Sequence, residues 1–138
     1  MIMGFKQRFP WGEPTYFREK ILSGVGFGPL QGPPKIHTMR AAKRWKPGDL
    51  IHMAYGVRSE NYEQFNKNIE GLQRVISVQD VTVKGNASSW SLVIDGKDCS
   101  DKMPFLIVND GFSNSDEFFK WFKKPFTGQI VHWTDWRY

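Results

Sequence analysis

Residues 72–96 leave this chain the least freedom. Val75, Ile76, Val78, Val81 and Val83 crowd residues 72–84 with β-branched side chains. Such side chains fit an extended, pleated backbone better than a helix. Gly85-Asn86 breaks the run, residues 89–94 resume it, and Asp95-Gly96 breaks it again. Two breaks of this kind predict two successive hairpins, the second leading into Lys97-Asp98-Cys99. A meander of this sort needs apolar cover, and six tryptophans and eleven phenylalanines supply it.

The flanking segments are short. Residues 2–9 read as a strand that ends at Pro10-Trp11-Gly12. Residues 15–22 predict a helix, with Phe17, Ile21 and Leu22 at helical spacing and Ser23-Gly24 as its stop. Residues 25–34 are so broken by glycine and proline that regular structure is excluded. This loop is ordered only by packing Phe27 and Leu30. Residues 35–40 read as a strand, Lys46-Pro47-Gly48-Asp49 as a turn, and residues 50–57 as the next strand. Residues 58–68 read as a loop or short helix, residues 103–109 as a strand, and residues 129–134 as the closing strand. Ser113-Asn114-Ser115-Asp116 resembles a capping box ahead of Phe118, Phe119 and Phe122, so residues 113–123 predict a helix that Pro125 ends. The sum is a single domain over residues 1–138, mainly β with two short helices. Short strands and tight turns within an α+β chain predict a small β-barrel or curled sheet, helices at its ends.

Composition narrows the function classes. The net charge of +5 favours polyanionic partners such as nucleic acid. A lone Cys99 excludes an intrachain disulfide and fits a cytoplasmic protein. No run approaches the roughly 20 apolar residues of a membrane span, and the first residues are charged too soon for a signal peptide. His37, His52 and His132 stand apart from one another and from Cys99, so neither a metal site nor a cofactor is expected. Gly24-Val25-Gly26-Phe27-Gly28 lacks the flanking strand and helix of a nucleotide-binding loop.

The chemistry concentrates in Lys35-Ile36-His37-Thr38-Met39-Arg40, where a hydroxyl stands between two cations. On a regular strand Thr38 and Arg40 share one face with Ile36, while His37 and Met39 share the other. Lys35 is an odd step from Thr38 and reaches it only from an irregular approach, which Pro33-Pro34 favours. Threonine is a nucleophile only when a base removes its proton. Lys35 is that base only if burial or a neighbouring cation such as Arg40 lowers its pKa from about 10.4 toward 7 or 8. The same residues also fit structural roles: Thr38 as a strand former, Lys35 as a solvated end, Arg40 as a partner of Asp49 or Asp110. Arg44-Trp45-Lys46 interleaves cation and aromatic, a pattern that stacks a base and touches phosphate. Trp45 equally suits the core. Arg58, with Tyr62 and Lys67, adds to an RNA-facing rim. Asp110, in Asn109-Asp110-Gly111, suits a turn, a cap or the site.

Three segments together resemble the ASCH domain family of the PUA-like superfamily. They are Ile21-Leu22-Ser23-Gly24, the Lys-x-x-Thr-x-Arg strand of residues 35–40, and Arg44-Trp45-Lys46-Pro47-Gly48-Asp49-Leu50-Ile51-His52. Asn109-Asp110-Gly111-Phe112 before the Glu117-Phe118 helix looks like the family's downstream half, so the resemblance spans roughly residues 5–133. Residues 25–34 are an insertion relative to that pattern. The resemblance implies a barrel with a cleft beside the first helix and a pocket for RNA or a modified nucleobase or nucleoside, with Arg40, Trp45, Lys46 and Arg58 as ligand-binding candidates. One branch of the family hydrolyses the acetyl amide of N4-acetylcytidine. The resemblance places Thr38 as that nucleophile, Lys35 as its base and Asp110 as the carboxylate. A non-catalytic protein-interaction domain is the remaining alternative, and it predicts an exposed apolar patch without a cleft.

Overall fold

The computed structural model describes residues 1–29 and 32–138. In chain order the elements are β1 (Ile2–Gly4), α1 (Phe17–Ser23), β2 (His37–Arg40), β3 (His52–Tyr55), β4 (Glu63–Gln64), β5 (Ser77–Asn86), β6 (Ser89–Ile94) and β7 (Lys97–Asp98). A 3-10 turn (Ser100–Lys102), α2 (Met103–Asn109), α3 (Ser115–Trp121) and β8 (Phe126–His132) complete the chain.

The β-branched run forms the long strand β5, which starts at Ser77 rather than at residue 72. It stays paired through Asn86, and the chain reverses at residues 87 and 88, where Asn86 Oδ1 accepts from the Ser88 and Ser89 amides. Asp95 (φ 51°) and Gly96 (φ 80°) make the second turn in the left-handed conformation that tight hairpins require. β5 also pairs with β8, and β8 with β2, giving an antiparallel sheet in the order β2-β8-β5-β6-β7. A smaller sheet has the order β1-β3-β4, with β1 parallel to β3.

The fold is mixed α+β, but it differs from the expected barrel. β2 and β7 end the larger sheet and β1 and β4 the smaller, so among the described residues no closed barrel forms. The departure begins just past β2. A Cβ on Gly128 would lie 2.1 Å from the Arg40 carbonyl oxygen and 2.9 Å from Ala41 Cα. The chain therefore passes directly over Gly128 as it leaves the sheet edge for the smaller sheet.

Among the described residues three α-helices form where two were expected. Residues 103–109 are helical, not a strand. Pro104 stands at the start, where its fixed φ favours a helix and its missing N–H costs nothing. Met103, Leu106 and Ile107 face inward at helical spacing, while Phe105 is 59% exposed. Helix α3 forms, but its cap lies one residue beyond the expected Ser113-to-Asp116 box: Asn114 Oδ1 accepts from the Glu117 amide, and Glu117 Oε1 accepts from the Ser113 amide, both at 2.9 Å. The core joins Val81, Val83, Leu92 and Ile94 of the large sheet to the inner faces of α2 and α3. In the segment of residues 25–34 Phe27 is 48% exposed, and Leu30 lies outside the described residues.

Candidate functional site

The N-terminal segment, α1, the approach to β2 and the loop after α2 enclose a cleft of about 220 Å³. Lys35 enters it from outside regular structure, as the spacing argument requires. Its amide donates to the Lys20 carbonyl at 3.3 Å, and the Ile36 amide donates to the Asn109 carbonyl at 2.9 Å. These bonds hold the approach between the ends of α1 and α2. Lys35, Thr38 and Arg40 then line one cleft with Asp110.

Lys35 is 2% exposed, unlike the solvated strand end that the sequence also allowed. Its Nζ donates to the Asp110 carbonyl, stands 3.5 Å from Asp110 Oδ1 and lies 4.8 Å from the centre of the Phe17 ring. Burial disfavours the ammonium more than Asp110 favours it, with Arg40 adding repulsion, and the pKa falls to about 8. The Lys35 hydrogen bond thus goes to Asp110 rather than to the Thr38 hydroxyl.

Asp110 caps the C-terminus of α2, and its placement depends on the next residue. Gly111 has φ 97°, and a Cβ there would lie 3.0 Å from both Lys35 Cδ and Phe17 Cε1. Only glycine satisfies both the backbone and the space. Lys20 Nζ fastens the turn by donating to the Gly111 carbonyl at 2.8 Å.

His37 lies behind the cleft and was not among the expected site residues. Its Nδ1 donates to Asp110 Oδ1 at 3.1 Å, and its Nε2 accepts from the Tyr138 hydroxyl at 2.7 Å. Asn109 Nδ2 donates to the same hydroxyl oxygen at 3.2 Å. Burial outweighs the Asp110 hydrogen bond and lowers the His37 pKa, so the ring is neutral at pH 7. Strand alternation places His37 away from Thr38, and the sequence carries no mark that Asp110 bridges the two faces. The aromatic walls, Phe5, Phe17, Phe112 and Trp121, were visible only as an excess of aromatics.

Arg40 lies over Phe5, with Cζ 5.0 Å from the ring centre, and its Nη2 donates to the Gly4 carbonyl at 2.8 Å. It pairs with neither Asp49 nor Asp110 through a salt bridge among the described residues, and its buried Nε lacks a hydrogen-bond partner there. Burial lowers its pKa, yet a guanidinium remains charged at neutral pH.

Three expected ligand-binding residues do not reach the cleft. Trp45 is 3% exposed within the core, its backbone held by Gln129 on both its N–H and C=O. The Lys46 amide donates to Asp49 Oδ2 at 2.9 Å in the turn, and its side chain lies outside the cleft. Arg58 lines a neighbouring depression instead. No protein-family model, curated protein or solved structure matches the chain.

Proposed function

We propose that this is an ASCH-like, PUA-like domain with an opened barrel, and that its cleft recognises a nucleobase or nucleoside, free or in RNA. The observation that carries this reading is the company of the buried Lys35: Thr38, Arg40 and Asp110 in one cleft walled by Phe5, Phe17 and Phe112. Rings offer stacking surface, and the few polar groups among them supply orientation. The volume of about 220 Å³ suits one planar ring system, being smaller than a drug-sized pocket of roughly 300 Å³ or more. The cleft also weighs against the protein-interaction alternative. Calorimetric titration with a panel of plain and modified nucleosides tests the reading. Binding is expected to weaken about tenfold or more in Arg40→Met, a loss of about 1.4 kcal/mol. If no nucleoside binds the native chain, the reading fails.

A second reading, hydrolysis of an N4-acetylcytidine-like amide, is favoured by the Lys35 pKa of about 8. For this, Lys35 turns from the Asp110 carbonyl and takes the Thr38 proton. Thr38 Oγ1 bonds to the acyl carbon, the C–N bond breaks, and the base leaves as the amine with the proton from Lys35. Water then cleaves the acyl ester, releasing acetate and restoring Thr38. Lys35, neutral again, takes the proton of that water and returns it to Thr38 Oγ1, while Asp110 holds the ammonium between the two transfers. Incubation with N4-acetylcytidine is expected to release cytidine and acetate, with release abolished in Thr38→Ala. Turnover that survives this substitution removes Thr38 as the nucleophile.

A further inference from the structure

Beside the cleft lies a second depression of about 510 Å³, with Arg44, Arg58 and Tyr62 on its walls. Gly4 lines both, and its carbonyl is the group that Arg40 grips, so the two spaces meet at this residue. A Cβ on Gly4 would press against Val57 Cγ2 at 3.0 Å. The junction therefore stays open only without a side chain there.

The charge of the second depression is one-sided. Among the described residues no carboxylate lines it. Arg44 and Arg58 are exposed and, among the described residues, neither forms a salt bridge, whereas Arg18, Lys43 and Arg137 each have an acidic partner. Arg44 also acts on Arg40, whose charge it disfavours. Asp110 offsets this at Arg40, but Arg44 and Arg58 form no ion pair among the described residues, and an anionic ligand in the depression they line is attracted by both. Arg58 is placed by its backbone rather than by solvent. Its φ of 63° is a left-handed conformation that a non-glycine residue rarely adopts. The surrounding turn is closed by the Ser59 amide and hydroxyl, both donating to the Gly56 carbonyl. Tyr62, 42% exposed, adds a ring at the far side.

We propose that Arg44 and Arg58 form a phosphate subsite, and that the ligand is a nucleoside carrying a phosphate rather than a bare nucleoside. Two forked guanidiniums match phosphate oxygens in geometry and charge. The base fills the cleft, the sugar crosses Gly4, and the phosphate lies between the two arginines. In a single-stranded RNA the adjoining base stacks on Tyr62. This inference rests on the nucleobase reading of the cleft.

The test compares cytidine, cytidine 3′- and 5′-monophosphates and a short single-stranded RNA by calorimetry at low and physiological salt. A parallel NMR titration follows the arginine Nε–H signals with inorganic phosphate. The phosphate is expected to tighten binding about tenfold over the nucleoside, with the gain shrinking as salt rises. That ratio is expected to fall to about one in R44A/R58A and to recover partly in R44K/R58K, where charge returns without the fork. A preference for the RNA over both monophosphates assigns a phosphodiester; equal affinity assigns the monophosphate. If the nucleoside binds and phosphate adds nothing, the subsite is overturned while the cleft reading stands. If no nucleoside binds but inorganic phosphate moves the Arg44 and Arg58 signals, the cleft reading falls and the phosphate site stands. Silence in both experiments overturns both.

Discussion

Lys35 Nζ is enclosed by a carbonyl, a carboxylate and the Phe17 ring. Each neighbour acts differently on its proton. Burial pushes the proton off, Asp110 holds it on, and Arg40 pushes it off again, with a resulting pKa of about 8. The lysine is therefore mostly charged at neutral pH and becomes a neutral amine as pH rises through 8. A pH titration of the Lys35 side chain by NMR is expected to show a midpoint near 8 instead of the 10.5 of an ordinary lysine. Asp110→Asn removes the negative charge that raises it, so the midpoint is expected to fall further. A midpoint that rises in this variant contradicts the account. In the hydrolytic reading the rate follows the same curve, increasing with pH to a plateau above 8, because only the neutral amine accepts the Thr38 proton.

At the scale of elements, the site depends on how α2 ends. Gly111→Ala forces a side chain onto φ 97° and into contact with Lys35 and Phe17. A loss of about 1–3 kcal/mol in urea unfolding is expected, together with a displaced Lys35 titration. An unchanged Lys35 midpoint in that variant argues against the packing described. The same region marks the boundary of what the sequence discloses. The Lys35 approach, the hairpin of β5 and β6 and, to within one residue, the cap of α3 were legible, because proline, turn residues and the polar cluster at residues 113–116 act locally. Helix α2 was not. Phe105-Leu106-Ile107-Val108 is apolar throughout, so neither period two nor period 3.6 stands out. Pro104 was the signal that favoured a helix start. The division into two sheets was equally hidden, since it turns on the close pass of Arg40-Ala41 over Gly128, a contact between distant segments. Trp45 shows the reverse error. Its cationic neighbours suggested a ligand, but its backbone partner Gln129 lies 84 residues away and holds it in the core.

Across the whole molecule, one buried polar network ties the cleft to the large sheet. Gln79 on β5 accepts at Oε1 from the Tyr138 amide and from His132 Nε2, which leaves His132 Nδ1 buried and unprotonated, without a hydrogen-bond partner among the described residues. Tyr138 in turn donates to His37, and His37 to Asp110. His37 and His132 face each other with ring centres 5.3 Å apart. Both rings are held neutral. Burial first, and then the neighbouring His37 and Arg137, bring His132 down to about 3, while burial lowers His37. The sign of the consequence follows from proton counting. Below pH 6.5 the unfolded chain takes up protons at these histidines that the folded chain refuses, so acid favours unfolding. Through His132 stability is expected to be full above pH 6.5 and to fall as pH drops toward 3, by up to about 1.4 kcal/mol per pH unit, and His37 adds to the fall below 6.5. His132→Gln preserves a donor toward Gln79 Oε1 and has no titrating ring, so it is expected to flatten that slope. His37→Asn keeps a donor for Asp110 and is expected to flatten it too, and to shift the Lys35 midpoint as well. Urea midpoints measured across this range separate the two effects: a slope unchanged in both variants means that acid acts elsewhere, and the network does not couple the sheet to the cleft.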